Sequence, residues 1–302
     1  MLGRNSHFKH TIKIVNINQL NKFLIKKMNK KQRKFTTAPL PFMGQKRKFL
    51  KHFTKALENY PHNAIYVDLF GGSGLLSHNV KQLYPQARVI YNDYDNYSER
   101  LRNIEKTNAL LADFRLILKN HTDDKRIEEP LRSMILDRLK IENELGYVDW
   151  ISVSSSILFS MKYMLNFEDV SKSTLYNTMR QSDFHATGYL EGVEIVRFDY
   201  KQLFDKFKDN NEVVFLCDPP YLSTNVEPYQ TDWKMTDYLN VLQVLKDTRY
   251  FYFTSNKSSI IELCQWMHDS SGVLNPFQYA TTVSMSASAS YNATYTDIML
   301  YK

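Results

Sequence analysis

A run of strand-forming residues, Val213-Val214-Phe215-Leu216-Cys217, stops abruptly at Asp218-Pro219-Pro220-Tyr221. The run reads as a strand buried on both faces of a sheet. Neither proline has a backbone N–H and both fix φ, so the strand ends there and the chain leaves the sheet stiffly. A carboxylate and a phenol are thereby held at the carboxyl end of a strand, where open α/β sheets bind their ligands. A second constellation lies upstream. Asp68-Leu69-Phe70-Gly71-Gly72-Ser73-Gly74 follows the strand-like Ala64-Ile65-Tyr66-Val67 and precedes Leu75, Leu76, Val80 and Leu83 at helical spacing. Strand, glycine turn and helix in succession form a nucleotide-binding start, with glycines that let the backbone approach a ligand. Asp93 closes a second short strand, Arg88–Asn92, 19 positions after Gly74. At that distance an acid accepts hydrogen bonds from a ribose.

The turn departs from a dinucleotide fingerprint. Gly72-Ser73-Gly74-Leu75-Leu76-Ser77 lacks the third glycine, and Asp68 ahead of it suits an amino group better than a pyrophosphate. S-adenosyl-L-methionine is therefore favoured over NAD. The chemistry that uses both constellations is methylation of an exocyclic amino group. An aryl amine is a poor nucleophile because its lone pair is delocalised into the ring. The Asp218 carboxylate and the Pro219 carbonyl, accepting its two N–H hydrogens, would free that lone pair, and rigid prolines preorganise both acceptors. Tyr221 would stack on a base taken out of the duplex.

These groups need a scaffold to hold them. The 302 residues suffice for a full α/β core, and 43% apolar content is that of a globular chain. Phe42, Gly44 and Lys46 precede a helical pattern in Phe49, Leu50, Phe53, Ala56 and Leu57, which places Lys46 at a helix start, facing an anionic ligand group. From Tyr97 to Glu194 the chain is mostly helical in pattern. Within it, Phe167–Leu190 is polar with Tyr176 and Phe184 interleaved, either a base-contacting segment or a surface loop. Val193–Phe198 returns to strand character, and Asp199 then stands before a helix beginning at Tyr200, an N-cap position. Leu222–Lys234 reads as a polar loop of lid length. Arg249–Thr254 is a further strand and Ile260–Met267 a helix. Phe277–Val283 and Thr296–Tyr301 read as a closing antiparallel pair joined by the small-residue stretch Ser284–Ser290.

Charge is distributed unevenly. Residues 1–55 carry 15 Lys and Arg and no acid, whereas the remaining chain has 24 basic and 32 acidic residues. A basic arm on a mildly acidic body points to a polyanion partner, nucleic acid before membrane. No apolar run reaches spanning length. Two cysteines, Cys217 and Cys264, build neither a disulfide framework nor a zinc site on their own, so a reducing, cytoplasmic setting and no metal are expected. Met28 offers a second plausible start, which would make residues 1–27 an optional extension.

In their order, these motifs resemble the Dam-like, class-alpha N6-adenine-specific DNA methyltransferases of the D12 class, from about Pro39 to Tyr301. Pro41–Lys46 resembles the family's N-terminal cofactor motif, with Phe42 and Lys46 at its aromatic and lysine positions. Asp68–Gly74 resembles its Phe-x-Gly-x-Gly motif, Asn92-Asp93 its ribose-binding acid, and Arg197–Tyr200 the segment meeting the cofactor's adenine. Asp218–Tyr221 matches the catalytic tetrapeptide. Gln45 stands where many members have a second glycine, and Asp68 replaces a commoner glutamate.

The resemblance implies a Rossmann-like S-adenosylmethionine-dependent methyltransferase fold with a mostly helical inserted target-recognition region. It divides the chain into a basic arm (1–38), a catalytic domain (39–96 and 195–302) and an insert (97–194). It implies transfer to N6 of adenine in double-stranded DNA, catalysis by Asp218, Pro219, Pro220 and Tyr221, and a bacterial or phage-encoded intracellular protein. Phe42, Lys46, Asp68, Phe70, Gly72, Gly74, Asp93, Asp199, Tyr200 and Asp218 would hold the cofactor. A paired restriction endonuclease is a candidate partner. Rival readings are an RNA adenine, protein-glutamine or N4-cytosine DNA methyltransferase, a catalytically silent DNA-binding form of the fold, and, weakest, an NAD-dependent oxidoreductase.

Overall fold

Short apolar runs rich in β-branched and aromatic residues form the parallel part of one sheet: β1 (Ile65–Asp68), β2 (Arg88–Asn92), β3 (Glu194–Val196), β4 (Val213–Cys217) and β5 (Arg249–Ser255). Two antiparallel strands, β6 (Thr281–Ser290) and β7 (Ala293–Tyr301), complete it, giving the order β3-β2-β1-β4-β5-β7-β6. The computed structural model describes residues 35–159, 163–221, 233–290 and 293–302. Residues 35–302 form one compact unit. All five residues of β4 are buried, which requires cover on both faces of the sheet and explains the uninterrupted apolar run. This is the Rossmann-like α/β methyltransferase fold that the sequence implied.

The order reverses between β1 and β4, whose register pairs Asp68 with Leu216. The turns after these two strands therefore leave adjacent strands at the same edge, at the topological switch point where such sheets bind ligands. Ahead of the sheet lies α1 (Leu50–Leu57), and between β1 and β2 runs α2 (Leu75–Leu83).

The connection from β2 to β3 is the helical insert: α3 (Tyr97–Arg102), α4 (Ile104–Ile117), α5 (Leu131–Glu144), α6 (Trp150–Ile157) and α7 (Phe167–Lys172). Its apolar residues make a core, with Leu111, Phe114, Ile135, Leu139, Val153 and Val170 all buried. Between β3 and β4 lies α8 (Tyr200–Asp205), between β4 and β5 α9 (Met235–Leu245), and after β5 α10 (Ile260–Ser271). No helix among the described residues is long and apolar enough to cross a membrane.

Three expectations need correction. Lys46 is not at a helix start, because α1 begins only at Leu50. Ser284–Ser290 is not a connector but continues β6, since alternation of small residues satisfies a strand as well as a loop does. Phe184 is not presented at the surface for a base: it is buried, its N–H bonded to Asn108 Oδ1 at 2.9 Å. The basic arm up to Lys34, the Met28 start and the loop over Leu222–Lys234, apart from Trp233 and Lys234, lie outside the described residues.

Candidate active site

Asp218 meets a cation at once. Gly44, at φ +78°, turns the chain before α1, and Lys46 Nζ then donates to the Gly44 carbonyl at 2.8 Å and pairs with Asp218 Oδ2 at 2.6 Å. Lys46 is only 8% exposed, and an ammonium so buried requires such a carboxylate. Burial raises the Asp218 pKa above the ordinary carboxylate range, and Lys46 opposes that rise. Pro219 is buried, and Pro220 and Tyr221 are partly exposed. The Lys46 ammonium lies 5.4 Å from the centre of the Tyr221 ring. Tyr221 OH donates to Asp297 Oδ1 at 3.5 Å, and its carbonyl accepts from Tyr238 OH at 3.2 Å.

The glycine turn is packed from beneath by Tyr91. A Cβ on Gly71 would lie 2.1 Å from Tyr91 Cε2, and the Tyr91 hydroxyl shares its one hydrogen between the Gly72 carbonyl at 2.7 Å and Asp93 Oδ1 at 2.9 Å. Gly72, at φ +51°, comes so close to Phe42 that a Cβ there would meet the ring at 3.0 Å. Asp68 is 1% exposed; its Oδ2 accepts from Ser77 Oγ at 2.7 Å, and its Oδ1 has no hydrogen-bond partner among the described residues. Burial pushes its pKa up to about 7, with the Asp218 charge adding to the rise. The insert reaches this turn too: Tyr189 OH donates to the Ser73 carbonyl at 2.9 Å, and Leu190 N–H to His78 Nδ1 at 3.2 Å.

Asp93 is committed locally before any ligand arrives. Besides Tyr91 it accepts the Tyr97 N–H at 2.6 Å and the Ser98 N–H at 2.9 Å, capping α3. A carboxylate with about four lone-pair sites keeps one for another donor. Asn92 ties three strand ends together, donating to the Leu69 and Phe198 carbonyls at 3.0 and 2.9 Å and accepting the Phe198 N–H at 2.9 Å. Phe70 packs on Tyr200, which stacks on Trp233 with centroids 5.6 Å apart. Asp199 is exposed and caps α8, accepting the Lys201 N–H at 2.8 Å.

The structure thus joins Lys46 to Asp218, Phe42 to the glycine turn, and Tyr200 to Phe70. Sequence reasoning passed over Asp297, Tyr91, Tyr189 and Trp233. Of these only Tyr91 carried a signal, sharing a strand face with Asp93 two residues on.

Comparison with known proteins identifies the family. Residues 42–260 match the family model described as D12 class N6 adenine-specific DNA methyltransferase. The chain belongs to that family. A Haemophilus influenzae protein named "Putative methyltransferase" is 37% identical over 281 residues, covering 89% of this chain and 93% of its own. Among solved structures, one titled a putative RNA methyltransferase from Pyrococcus horikoshii covers 93% of this chain and 96% of its own at 11% identity and a TM-score of 0.36. A precorrin-6y C5,15-methyltransferase from Geobacter metallireducens covers 87% and 94% at 10% identity and a TM-score of 0.34.

Proposed function

We propose that this D12-class methyltransferase transfers a methyl group from S-adenosyl-L-methionine to N6 of adenine in double-stranded DNA. The observation that carries the reading is the placement of the Asp218–Tyr221 turn and the glycine turn on adjacent strands, across the switch point of the sheet. The residues fit the cofactor. Asp68 Oδ1 is a buried acceptor without a partner among the described residues, suited to an ammonium group, and the Cβ-free face of Gly72 lies against Phe42. Asp93 retains one acceptor site for a ribose hydroxyl, and Phe70 with Tyr200 offers an apolar wall. When bound, S-adenosylmethionine supplies a methyl group made electrophilic by its positive sulfur.

The chain's own residues prepare the amine. Asp218 Oδ1 and the Pro219 carbonyl accept the two N6 hydrogens, which frees the nitrogen lone pair for in-line attack. Lys46 holds the other oxygen of Asp218, so the carboxylate cannot rotate away. Asp218, its pKa raised by burial, is also suited to take the proton that N6 sheds. Tyr221 provides the stacking surface for the extruded base.

Within the same proposal, residues 39–96 and 195–302 are the catalytic domain, 97–194 the target-recognition region and 1–38 a DNA-binding arm. The hydrogen bonds of Tyr189 to the glycine turn and of Leu190 to His78 of α2 support the second assignment, since they link the insert to the elements flanking the sheet. Tritium transfer from labelled cofactor to duplex DNA tests the reading. The wild type should label adenine-containing DNA, and Asp218→Ala should abolish labelling while cofactor binding persists. Cofactor binding without transfer to any DNA would refute it.

A further inference from the structure

One charged side chain in the pocket lies outside every motif. Asp297 belongs to an antiparallel strand, yet its register partner is Ser255, at the carboxyl end of β5, so it sits at the ligand edge of the sheet. It accepts the Tyr221 hydroxyl at 3.5 Å. Lys46 stands between the elements involved, 2.6 Å from Asp218 and 5.4 Å from the Tyr221 ring centre. Its charge, with that of Lys48, also acts on Asp297. Two carboxylates, one buried ammonium and one phenol therefore gather at one edge of the sheet. We propose that Asp297 is a positioning residue for methyl transfer, fixing the ring of Tyr221 through its hydroxyl and placing a second negative charge on the Asp218 side of the sheet edge. The inference rests on the reading of Asp218–Tyr221 as the site that takes the target amine.

Lys46 stays on Asp218 at 2.6 Å and holds one of its oxygens. The second carboxylate, tied to the Tyr221 hydroxyl, adds negative charge to the same edge, so that Asp218 grips a proton more tightly and is a stronger acceptor for the amine. The other groups that act on Asp218 or feel it are Asp68, Cys217 and Tyr252. Tyr221 and Tyr295 complete the surroundings of Asp297. The negative charge of Asp297 raises the Asp218 pKa. Its removal lets Asp218 ionise at lower pH.

Two variants separate the two roles. Asp297→Asn keeps an acceptor for Tyr221 and removes the charge. The acid limb of its kcat profile should move to lower pH, with the KM for DNA little changed. Asp297→Ala removes both functions, and kcat should fall roughly tenfold to a hundredfold from misplacement of the base, with cofactor binding retained by calorimetry. An Asp297→Asn acid limb coincident with wild type, or Asp297→Ala at wild-type kcat, would overturn the inference while leaving the proposed reaction intact. Loss of cofactor binding in both variants would assign Asp297 to the fold and overturn it as well. If the wild type moves no methyl group to adenine, the reaction and the inference fall together.

Discussion

Asp68 is ionisable, almost wholly buried and half satisfied, which makes Asp68→Asn an informative perturbation. Its carboxyl titrates near 3.8 when solvated, and burial moves it to about 7 in the folded chain. Between those values the folded state binds more protons than the unfolded one, so this group's contribution to stability falls as pH rises from 3.8 to about 7 and stays lost above. At 1.36 kcal/mol per pH unit the full cost is about 4 kcal/mol. Asparagine keeps the shape and the acceptor for Ser77 Oγ but carries no charge to desolvate. Urea unfolding of both proteins across a pH series should therefore show Asp68→Asn gaining on wild type through the acid range and levelling near neutrality, with about 4 kcal/mol as the ceiling.

The same residue should register the cofactor. An ammonium group placed against Oδ1 favours the ionised carboxyl, so binding to wild type near pH 6 should release a proton. Calorimetry in buffers of different ionisation enthalpy measures that proton directly. Asp68→Asn should release none and bind at least about tenfold more weakly, from loss of a charge-assisted hydrogen bond of about 1.5–3 kcal/mol. A flat stability difference from acid to neutral pH, or unchanged proton release in the variant, would refute the reasoning.

Other perturbations test other links. Gly71→Ala drives a methyl group into the fully buried Tyr91 ring and should lower stability by about 1–3 kcal/mol or more; Tyr91→Phe, which only removes the bonds to Gly72 and Asp93, should weaken cofactor binding with a smaller effect on the core. The buried Arg100 pairs with Asp149 at 3.0 Å and also donates to the Pro41 carbonyl at 2.9 Å. Asp149→Ala should therefore cost about 3–5 kcal/mol in urea unfolding, and combining it with Arg100→Met should recover much of that loss. Lys48 is exposed and acts on Asp297, and Lys257 is exposed over the Tyr295 ring. If each neutralises one DNA phosphate, Lys48→Ala and Lys257→Ala should each reduce the slope of log affinity against log salt by about 0.9.

Much of the sheet edge that carries both turns was legible because its signals are local in the chain. Val213–Tyr221 declares its own strand and its own break, and Asp68–Gly74 its strand, turn and helix, so both turns could be placed at one edge of a sheet. Tertiary contacts were less accessible. No periodicity in residues 277–301 marks Asp297, because what matters is its register against Ser255 across two antiparallel strands. Lys46 could be read only as a candidate, because its partner lies 172 positions away in Asp218. The polar stretch Phe167–Leu190 misled for a related reason. Its apolar residues, Leu175, Met179, Phe184, Tyr189 and Leu190, fall at irregular intervals, yet all are buried because the loop folds back on the helices and on the glycine turn.

The most direct test of the account is the identity of the methylated nucleoside. Duplex DNA treated with the full-length protein and S-adenosylmethionine, digested to nucleosides and resolved by mass spectrometry, should contain N6-methyladenosine as its deoxynucleoside, absent from the Asp218→Ala reaction. Methyl groups found on N4 of cytosine instead, or on no base while the protein binds its cofactor, would contradict it.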